Sequence, residues 1–361
     1  MNYKYVSIFA IITALTIGTI FLLQNKGGKH VTTSKIPTSK TSFVSLPSPT
    51  LDSIFSNNHT WIATLSAEHI RVLTATGDII PARTVNYEVV KRNNPLWPYE
   101  KVLPILNAKK TDITFVNLET PLIKNCLPTI EGMVFCGTDR NIEGLKAIHV
   151  TIANLANNHA GNHGEDGVSE TIKLLQNNSI LTTGVNGPVY KNIRGIQFAF
   201  LGYNDITKPQ PGIENATDST IKKEIVKARK NADIVIVTFH WGIEYRDQPD
   251  DDQKRLGHLA IDSGADLVIG NHPHWIQPIE LYKEKLITYA HGNFIFDQMW
   301  SQKTREGVIG RYIFYDKKLI DVEYTPLQIN DYGQAHFLEK KQANDILVDM
   351  KKHSLELTKK Y

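Results

Sequence analysis

Apolar runs in this 361-residue chain end at five places in side chains that could bind metal ions. These residues are Asp78, Glu119, the pair Asn158 and His159, His240, and the pair His272 and His274. Together they offer two carboxylates, one amide oxygen and four imidazoles. Such a mixed oxygen and nitrogen donor set suits borderline or hard divalent ions such as Mn, Zn or Fe. A pair of ions about 4 Å apart can activate water and stabilise an in-line displacement at phosphorus. The residue types therefore predict a two-metal centre.

The apolar runs have the length and composition of strands, and helical patterns separate them. The predicted strands cover residues 72–76, 113–117, 150–153, 198–202, 234–239, 267–269 and 286–289, followed by an antiparallel pair at 311–315 and 319–325. The predicted helices cover residues 98–106, 142–147, 168–176, 220–230, 253–263 and 343–357. This alternation indicates an α/β fold. The carboxyl ends of strands are where α/β sheets place their sites, so the donor residues are expected to converge.

Several segments around these donors resemble a known family. They are Gly77-Asp78-Ile79-Ile80, Asn117-Leu118-Glu119-Thr120-Pro121-Leu122, Ala156-Asn157-Asn158-His159-Ala160, His240-Trp241-Gly242-Ile243-Glu244-Tyr245, Gly270-Asn271-His272-Pro273-His274 and Gly292-Asn293-Phe294-Ile295-Phe296-Asp297-Gln298. In this order they resemble the calcineurin-like metallophosphoesterases, and more closely the CapA family of poly-γ-glutamate capsule synthesis proteins. The resemblance spans about residues 72 to 297. It implies a four-layer α/β/β/α sandwich with the ligands on loops at one edge.

The resemblance also implies a role for each donor. Asp78 and His274 would bind the first metal, and Glu119 would take the bridging position. The second metal would be completed by Asn158, His240 and His272. His159 would be the general acid or would contact the substrate oxyanion.

Three further residues, Arg83, Ile80 and His163, bear on the predicted site. Arg83 either clamps an anionic substrate group or lies at the surface and caps a helix start. At Ile80 the metallophosphoesterases carry a histidine, so one ligand of the first metal is missing and that site is expected to be weak or absent. His163 either replaces that ligand or is a solvent-facing loop residue.

The resemblance implies a part in making or exporting an extracellular anionic polymer, poly-γ-glutamate or a related capsule, in a membrane complex with a ligase and other capsule-synthesis proteins. Three hypotheses remain open. The chain is a metal-dependent hydrolase of phosphoesters or peptide-like amides, a polymer-binding or export subunit without turnover, or a structural anchor with a vestigial site. The missing ligand at Ile80 favours the polymer-binding or export subunit over a vigorous phosphatase. The retained histidines argue against the structural anchor with a vestigial site. The net charge of +3, without a dense basic block, argues against nucleic acid as a partner.

The N-terminal region predicts an anchored protein. Residues 5–23 carry no charge and just reach the roughly 20 residues that span a bilayer. The end of the run offers no convincing cleavage site, which favours an anchor over a cleaved signal. We assign residues 1–24 to the anchor, 25–69 to a flexible linker, 70–325 to the metallophosphoesterase-type domain and 326–361 to a tail with a helix. The domain is expected outside the cytoplasm, where Cys126 and Cys136 either form a disulfide or stay free.

The location has a direct test. A reporter fused after Leu51 should be active only outside the cytoplasm, because large domains translocate largely regardless of the lysines that follow the apolar run. Protease added to spheroplasts should digest the domain, and full protection would contradict the predicted orientation.

Overall fold

The computed structural model describes residues 46–56, 58–206, 209–210 and 212–359. The predicted anchor and the first part of the linker lie outside these residues. Among the residues described, none of the helices combines the length and the apolar character needed to cross a bilayer.

The strands and helices alternate along most of the chain. The strands are β1 Ile70–Ile79, β2 Ile113–Leu118, β3 Leu122–Ile123, β4 Gly137–Thr138, β5 Ile152–Asn154, β6 Leu181–Thr183, β7 Val189–Ile193, β8 Ile196–Asn204, β9 Ile234–His240, β10 Leu267–Asn271, β11 Ile279–Tyr282, β12 Lys285–Thr288, β13 Asn293–Ile295, β14 Glu306–Tyr315, β15 Lys318–Asn330 and β16 Gln334–Phe337. The helices are α1 Leu51–Ile54, α2 Arg83–Arg92, α3 Leu103–Ala108, α4 Ile142–Ala147, α5 Gly164–Asn177, α6 Asp218–Arg229, α7 Asp251–Asp262, α8 Gln302–Arg305 and α9 Lys340–Thr358.

Two large mixed sheets contain most of these strands. The first has the order β16-β15-β14-β1-β2-β5-β6, and β13 also pairs with β1. Its β1, β2, β5 and β6 run parallel, whereas β14, β15 and β16 are antiparallel. The second has the order β11-β12-β10-β9-β8-β7, with β8, β9, β10 and β12 parallel. The parallel strands β2 and β9 are buried along their whole length, as expected for strands covered on both faces.

The hydrophobic side chains form separate clusters that explain how the sheets and helices pack. One cluster joins the two sheets face to face and includes Phe115 from the first and Phe200 from the second, with stacked rings 5.9 Å apart. Another joins the first sheet to α4 and α5 through Leu145 and Leu175. A third joins the second sheet to α6 and α7 through Ile225 and Leu256. Helices therefore cover the faces of the sheets that point away from the shared core.

The predicted core strands and most predicted helices are confirmed, but some boundaries differ. Helix α3 covers Leu103–Ala108, where the sequence predicted residues 98–106. Residues 46–69 are not simply linker, because Ile54 of α1 is buried in the cluster between the sheets. The domain also continues past residue 325, since β15 runs to Asn330 and pairs with β16. Helix α2 was not predicted.

A disulfide joins Cys126 and Cys136. It closes a loop whose two ends are also held together by pairing of the short strands β3 and β4. Phe135, the residue before the second cysteine, is buried. Of the two states that the sequence left open for these cysteines, the structure has the bridge.

The bridge should be measurable in the native protein. Both cysteines should resist alkylation until a reductant is added. The double substitution Cys126→Ser and Cys136→Ser should lower the free energy of unfolding by about 2–3 kcal/mol, because the short closed loop restricts the unfolded chain. Reductant should destabilise the wild type but not the double variant. Immediate labelling of both cysteines without reductant would show that the bridge is absent.

Candidate metal centre

The donor residues meet because both sheets direct the carboxyl ends of their parallel strands to one site. In the first sheet, parallel pairing places Asp78 beside Asn117, and Asn117 beside Asn154. In the second sheet, pairing of β9 with β10 places His240 beside Asn271, the residue before His272. Glu119 directly follows β2. The strand register therefore sets the spacing of the donors.

Contacts across the site connect donors from both sheets. Nε2 of His240 lies 2.8 Å from Oδ1 of Asn158, 3.1 Å from Nδ1 of His272 and 3.2 Å from Oε1 of Glu119. Nδ1 of His274 lies 3.1 Å from Oδ2 of Asp78. The structure thus brings together all six residues that the sequence proposed as metal ligands.

Two overlapping groups have the proximity that a metal ion requires. Glu119, His272 and His274 form one, and Asp78, Glu119 and His240 form the other, with potential ligand atoms within 4.8 Å of one another in each group. Glu119 belongs to both groups, as the predicted bridging position would. The remaining predicted pairings, His274 with Asp78 and His240 with Asn158, are direct contacts.

The state of Glu119 tests whether these residues fit divalent cations. Its side chain is fully buried, and neither carboxylate oxygen accepts a hydrogen bond from any residue that the structure describes. A buried carboxylate without hydrogen bonds is very costly unless a cation compensates it. The donor set, with imidazoles facing the carboxylates, therefore fits one or two divalent ions.

Burial and neighbouring charges control the protonation of the site. Burial, followed by the charge of Asp78, raises the pKa of Glu119 well above its ordinary value. Burial would lower the pKa of His274, but Glu119 and Asp78 outweigh it and raise that pKa to about 9. Burial also acts to raise the pKa of Asp78, yet contacts led by His274 lower it overall. Glu119 and His274 therefore compete for a proton when no cation is bound.

The other imidazoles are neutral near pH 7. Burial lowers the pKa of His240 to about 3 and that of His159 to about 4. Burial, followed by the charges of His240 and His274, lowers the pKa of His272 well below its ordinary value. These imidazoles can bind a cation without first losing a proton.

Buried asparagines hold the donors in place. Nδ2 of Asn117 donates to Oδ1 of Asp78 at 2.8 Å, and Asn154 in turn donates to Oδ1 of Asn117 at 2.9 Å. Oδ1 of Asn293 lies 2.9 Å from Nδ1 of His274. Because Nδ1 of His274 faces only oxygen acceptors, it carries a proton, which leaves Nε2 for a metal. The sequence did not indicate these roles, although Asn117 lies two residues before Glu119, and residues two apart in extended chain point to the same side.

The two predicted catalytic residues lie at one wall of the centre. The ring of His159 stacks on that of Phe135 at 3.9 Å, and its Nδ1 lies 2.9 Å from Oδ1 of Asn162. The guanidinium of Arg83 lies between the rings of Phe135 and Phe296, at 5.0 and 4.9 Å. It donates to Asp297, a partner that the sequence did not indicate.

Arg83 thus lies outside both candidate metal groups and is already paired. Asp297 also accepts from the backbone N–H of Thr84 at 3.1 Å, so it is this carboxylate that caps the start of α2.

The structure also places the two residues at which the sequence departs from the metallophosphoesterases. Ile80 is completely buried in a cluster with Ala82, Phe135 and Phe296, so this position contributes packing. His163 is exposed at the start of α5 and belongs to neither candidate metal group. In the described part of the chain, His163 therefore does not supply the ligand that is missing at position 80.

Comparison with known proteins identifies relatives over most of the domain. A family model described as "Bacterial capsule synthesis protein PGA_cap" matches residues 72–298. The capsule biosynthesis protein CapA of Bacillus anthracis is 32% identical over 281 residues, which cover 72% of this chain and 67% of that protein. The PGA biosynthesis protein CapA of Bacillus subtilis (strain 168) is 31% identical over 283 residues, covering 73% of each. The crystal structure of a novel phosphatase from Mycoplasma pneumoniae is 12% identical with a TM-score of 0.50, covering 73% of this chain and 95% of that chain. This last likeness shows a shared fold alone.

Metal binding should release protons. Below a pH of about 9, His274 holds a proton that a metal must displace, so the affinity should fall about tenfold for each pH unit of acidification per proton released. Calorimetric titration with Mn or Zn, in two buffers of different ionisation heat, measures the metal affinity and the number of protons released.

His274→Ala should reduce the proton release and flatten this pH dependence. The matched control is His163→Ala, which removes an exposed histidine near the site and should change neither. An affinity that stays constant from about pH 9 to pH 6 would contradict the protonation assigned to His274.

Proposed function

Because this chain belongs to the family of bacterial capsule synthesis proteins described as PGA_cap, we propose that it is a membrane-anchored protein of capsule polymer synthesis or export. The polymer is poly-γ-glutamate or a similar anionic chain, and the domain works outside the cytoplasm beside other capsule-synthesis proteins, including a ligase. The two relatives named for capsule or PGA biosynthesis support this reading. The paired sheets with helices on their outer faces support a four-layer α/β/β/α sandwich of the metallophosphoesterase type.

The domain has a hydrolase-type centre for two divalent ions. The observation that carries this proposal is the buried carboxylate of Glu119, which accepts no hydrogen bond from the described residues and is shared by both candidate metal groups. Asp78, Glu119, Asn158, His240, His272 and His274 would hold Mn, Zn or Fe. When bound, such ions polarise a phosphoryl or carbonyl oxygen and lower the pKa of a bound water.

The chain's own groups would position the substrate and move a proton. His159 is neutral near pH 7, since burial lowers its pKa to about 4, so it accepts a proton before it donates one. Its Nδ1 faces Asn162, which leaves Nε2 for the substrate. Arg83, held by Asp297 at the same wall, contributes positive charge toward an anionic substrate.

A polymer-binding subunit without turnover is the second candidate. Ile80 favours it, because a buried aliphatic residue occupies the position of a metal ligand in active metallophosphoesterases. A phosphoesterase acting on a small phosphoester is the remaining alternative, supported only by the fold.

Metal content and polymer production together separate these candidates. In a deletion background, Glu119→Gln should lose both metal and polymer, because it removes the charge that compensates the cations. His159→Ala should keep the metal and lower any turnover by about a hundredfold or more. His163→Ala should keep both. Circular dichroism verifies that each variant is folded.

Two results would contradict parts of this proposal. Retention of metal and polymer by Glu119→Gln would contradict a functional metal centre. Full polymer production by a metal-loaded His159→Ala variant would indicate that the site binds the polymer without turnover.

A further inference from the structure

The disulfide-closed loop 126–136 exposes a group of apolar side chains. Leu127, Ile130, Met133 and Val134 are 80%, 63%, 63% and 69% exposed. Large apolar side chains scattered singly on a surface are ordinary, but several in one short loop indicate an interaction surface. We call these four side chains the apolar tip.

The apolar tip is held in this exposed position by its surroundings. The disulfide and the pairing of β3 with β4 close the base of the loop. At its end, the backbone N–H of Phe135 donates to Oδ1 of Asn162 at 2.6 Å, and the Phe135 ring packs on His159. The tip therefore cannot easily turn inward to bury its side chains, and the cost of exposing them to water is relieved only by a partner.

Chain length and composition favour a lipid bilayer as that partner. The uncharged run at residues 5–23 predicts an anchor, and only the 21 residues from 25 to 45 separate it from the first described residue. An extended chain of that length spans at most about 70 Å, so a tethered domain stays close to the bilayer surface. Weak contacts between the domain and the bilayer then suffice to hold the domain at the surface.

The charges of the loop are compatible with this partner. The loop carries Glu131 at its tip, and Lys124 lies just before its first cysteine, so the local net charge is close to zero. Aliphatic and Met side chains enter the boundary between headgroups and acyl chains without specific geometry.

An exposed tryptophan is connected to the same centre through Tyr245. The ring of Tyr245 lies 6.3 Å from that of His274, and the ring of Trp300 lies 4.7 Å from Tyr245. Trp300 is 60% exposed, and tryptophan is favoured at membrane interfaces. Two exposed apolar features therefore adjoin the metal centre: the apolar tip, through Phe135 and His159, and Trp300, through Tyr245 and His274.

We propose that the apolar tip of loop 126–136 inserts into the bilayer interface, so that the metal centre opens toward the membrane surface. This inference rests on the membrane location in the proposed function and deepens it. The substrate then reaches the site at the membrane surface, as an anionic polymer end or phosphoester that emerges from or is carried by the bilayer. Phe135 connects the apolar tip to the metal centre, since it directly follows Val134 and packs against His159.

Photo-crosslinking of the full chain in vesicles tests this contact. A benzoylphenylalanine replaces Ile130 or Met133, and the matched control carries it at Val226 of α6, which is 47% exposed. The vesicles contain phosphatidylcholine and phosphatidylglycerol, and lipid adducts are quantified by mass spectrometry. We expect the yield at Ile130 and Met133 to exceed that at Val226 by about fivefold or more.

Several results would overturn the proposal. Equal lipid labelling at all three positions would do so, and so would crosslinks from Ile130 to a second copy of the chain in place of lipid. A chain that does not float with the vesicles would overturn the membrane location as well. Failure of labelling in a chain that floats and holds metal would remove the loop contact alone and leave the proposed function standing.

Discussion

The carboxylate of Glu119 is buried beside Asp78 without any hydrogen bond from the described residues, and the organisation of the site follows from that constraint. In the protein interior a carboxylate is stabilised by hydrogen bonds, by a cation or by taking up a proton. The fold places imidazoles and a second carboxylate near Glu119, but the described residues donate no hydrogen bond to its oxygens. Without cations the negative charge of the carboxylates is therefore not fully compensated. A proton shared between Glu119 and His274 then takes the place of the cation.

The asparagines around the donors explain how such a site keeps its shape. Asn117 links Asp78 to the neighbouring strand through Asn154, and Asn293 orients His274 from another direction. Neutral amides can donate and accept at once, so they fix the ligands without adding charge to a crowded region. This is the kind of supporting contact that determines ligand orientation in metal sites.

The wall formed by Phe135, His159 and Arg83 connects the site to the surface of the domain. Phe135 packs on His159 and faces the guanidinium of Arg83, and it follows the apolar tip directly in sequence. A contact made by the tip would therefore act on His159 and Arg83, the residues proposed to face the substrate. The disulfide at the base of the loop limits how far Phe135 can move from this position.

The sequence alone indicated the candidate donors and the core strands that carry them. Asp78, Glu119, His240 and His272 could be recognised because each lies at the end of an apolar run, a pattern local to the chain. The family resemblance extended this to the fold and to the predicted ligand set. The departure at Ile80 was also visible in the sequence, since it concerns a single residue type.

Only the tertiary structure decided how these residues are paired and protonated. An unperturbed histidine titrates near pH 6.5, yet burial lowers the pKa of His240 to about 3, and buried carboxylates raise that of His274 to about 9. The ion pair of Arg83 with Asp297, the buried state of Ile54 and the packing of Phe135 on His159 join residues far apart in sequence. Local patterns specify strands and helices, but long-range contacts and the loss of water at the site depend on how the two sheets pack together.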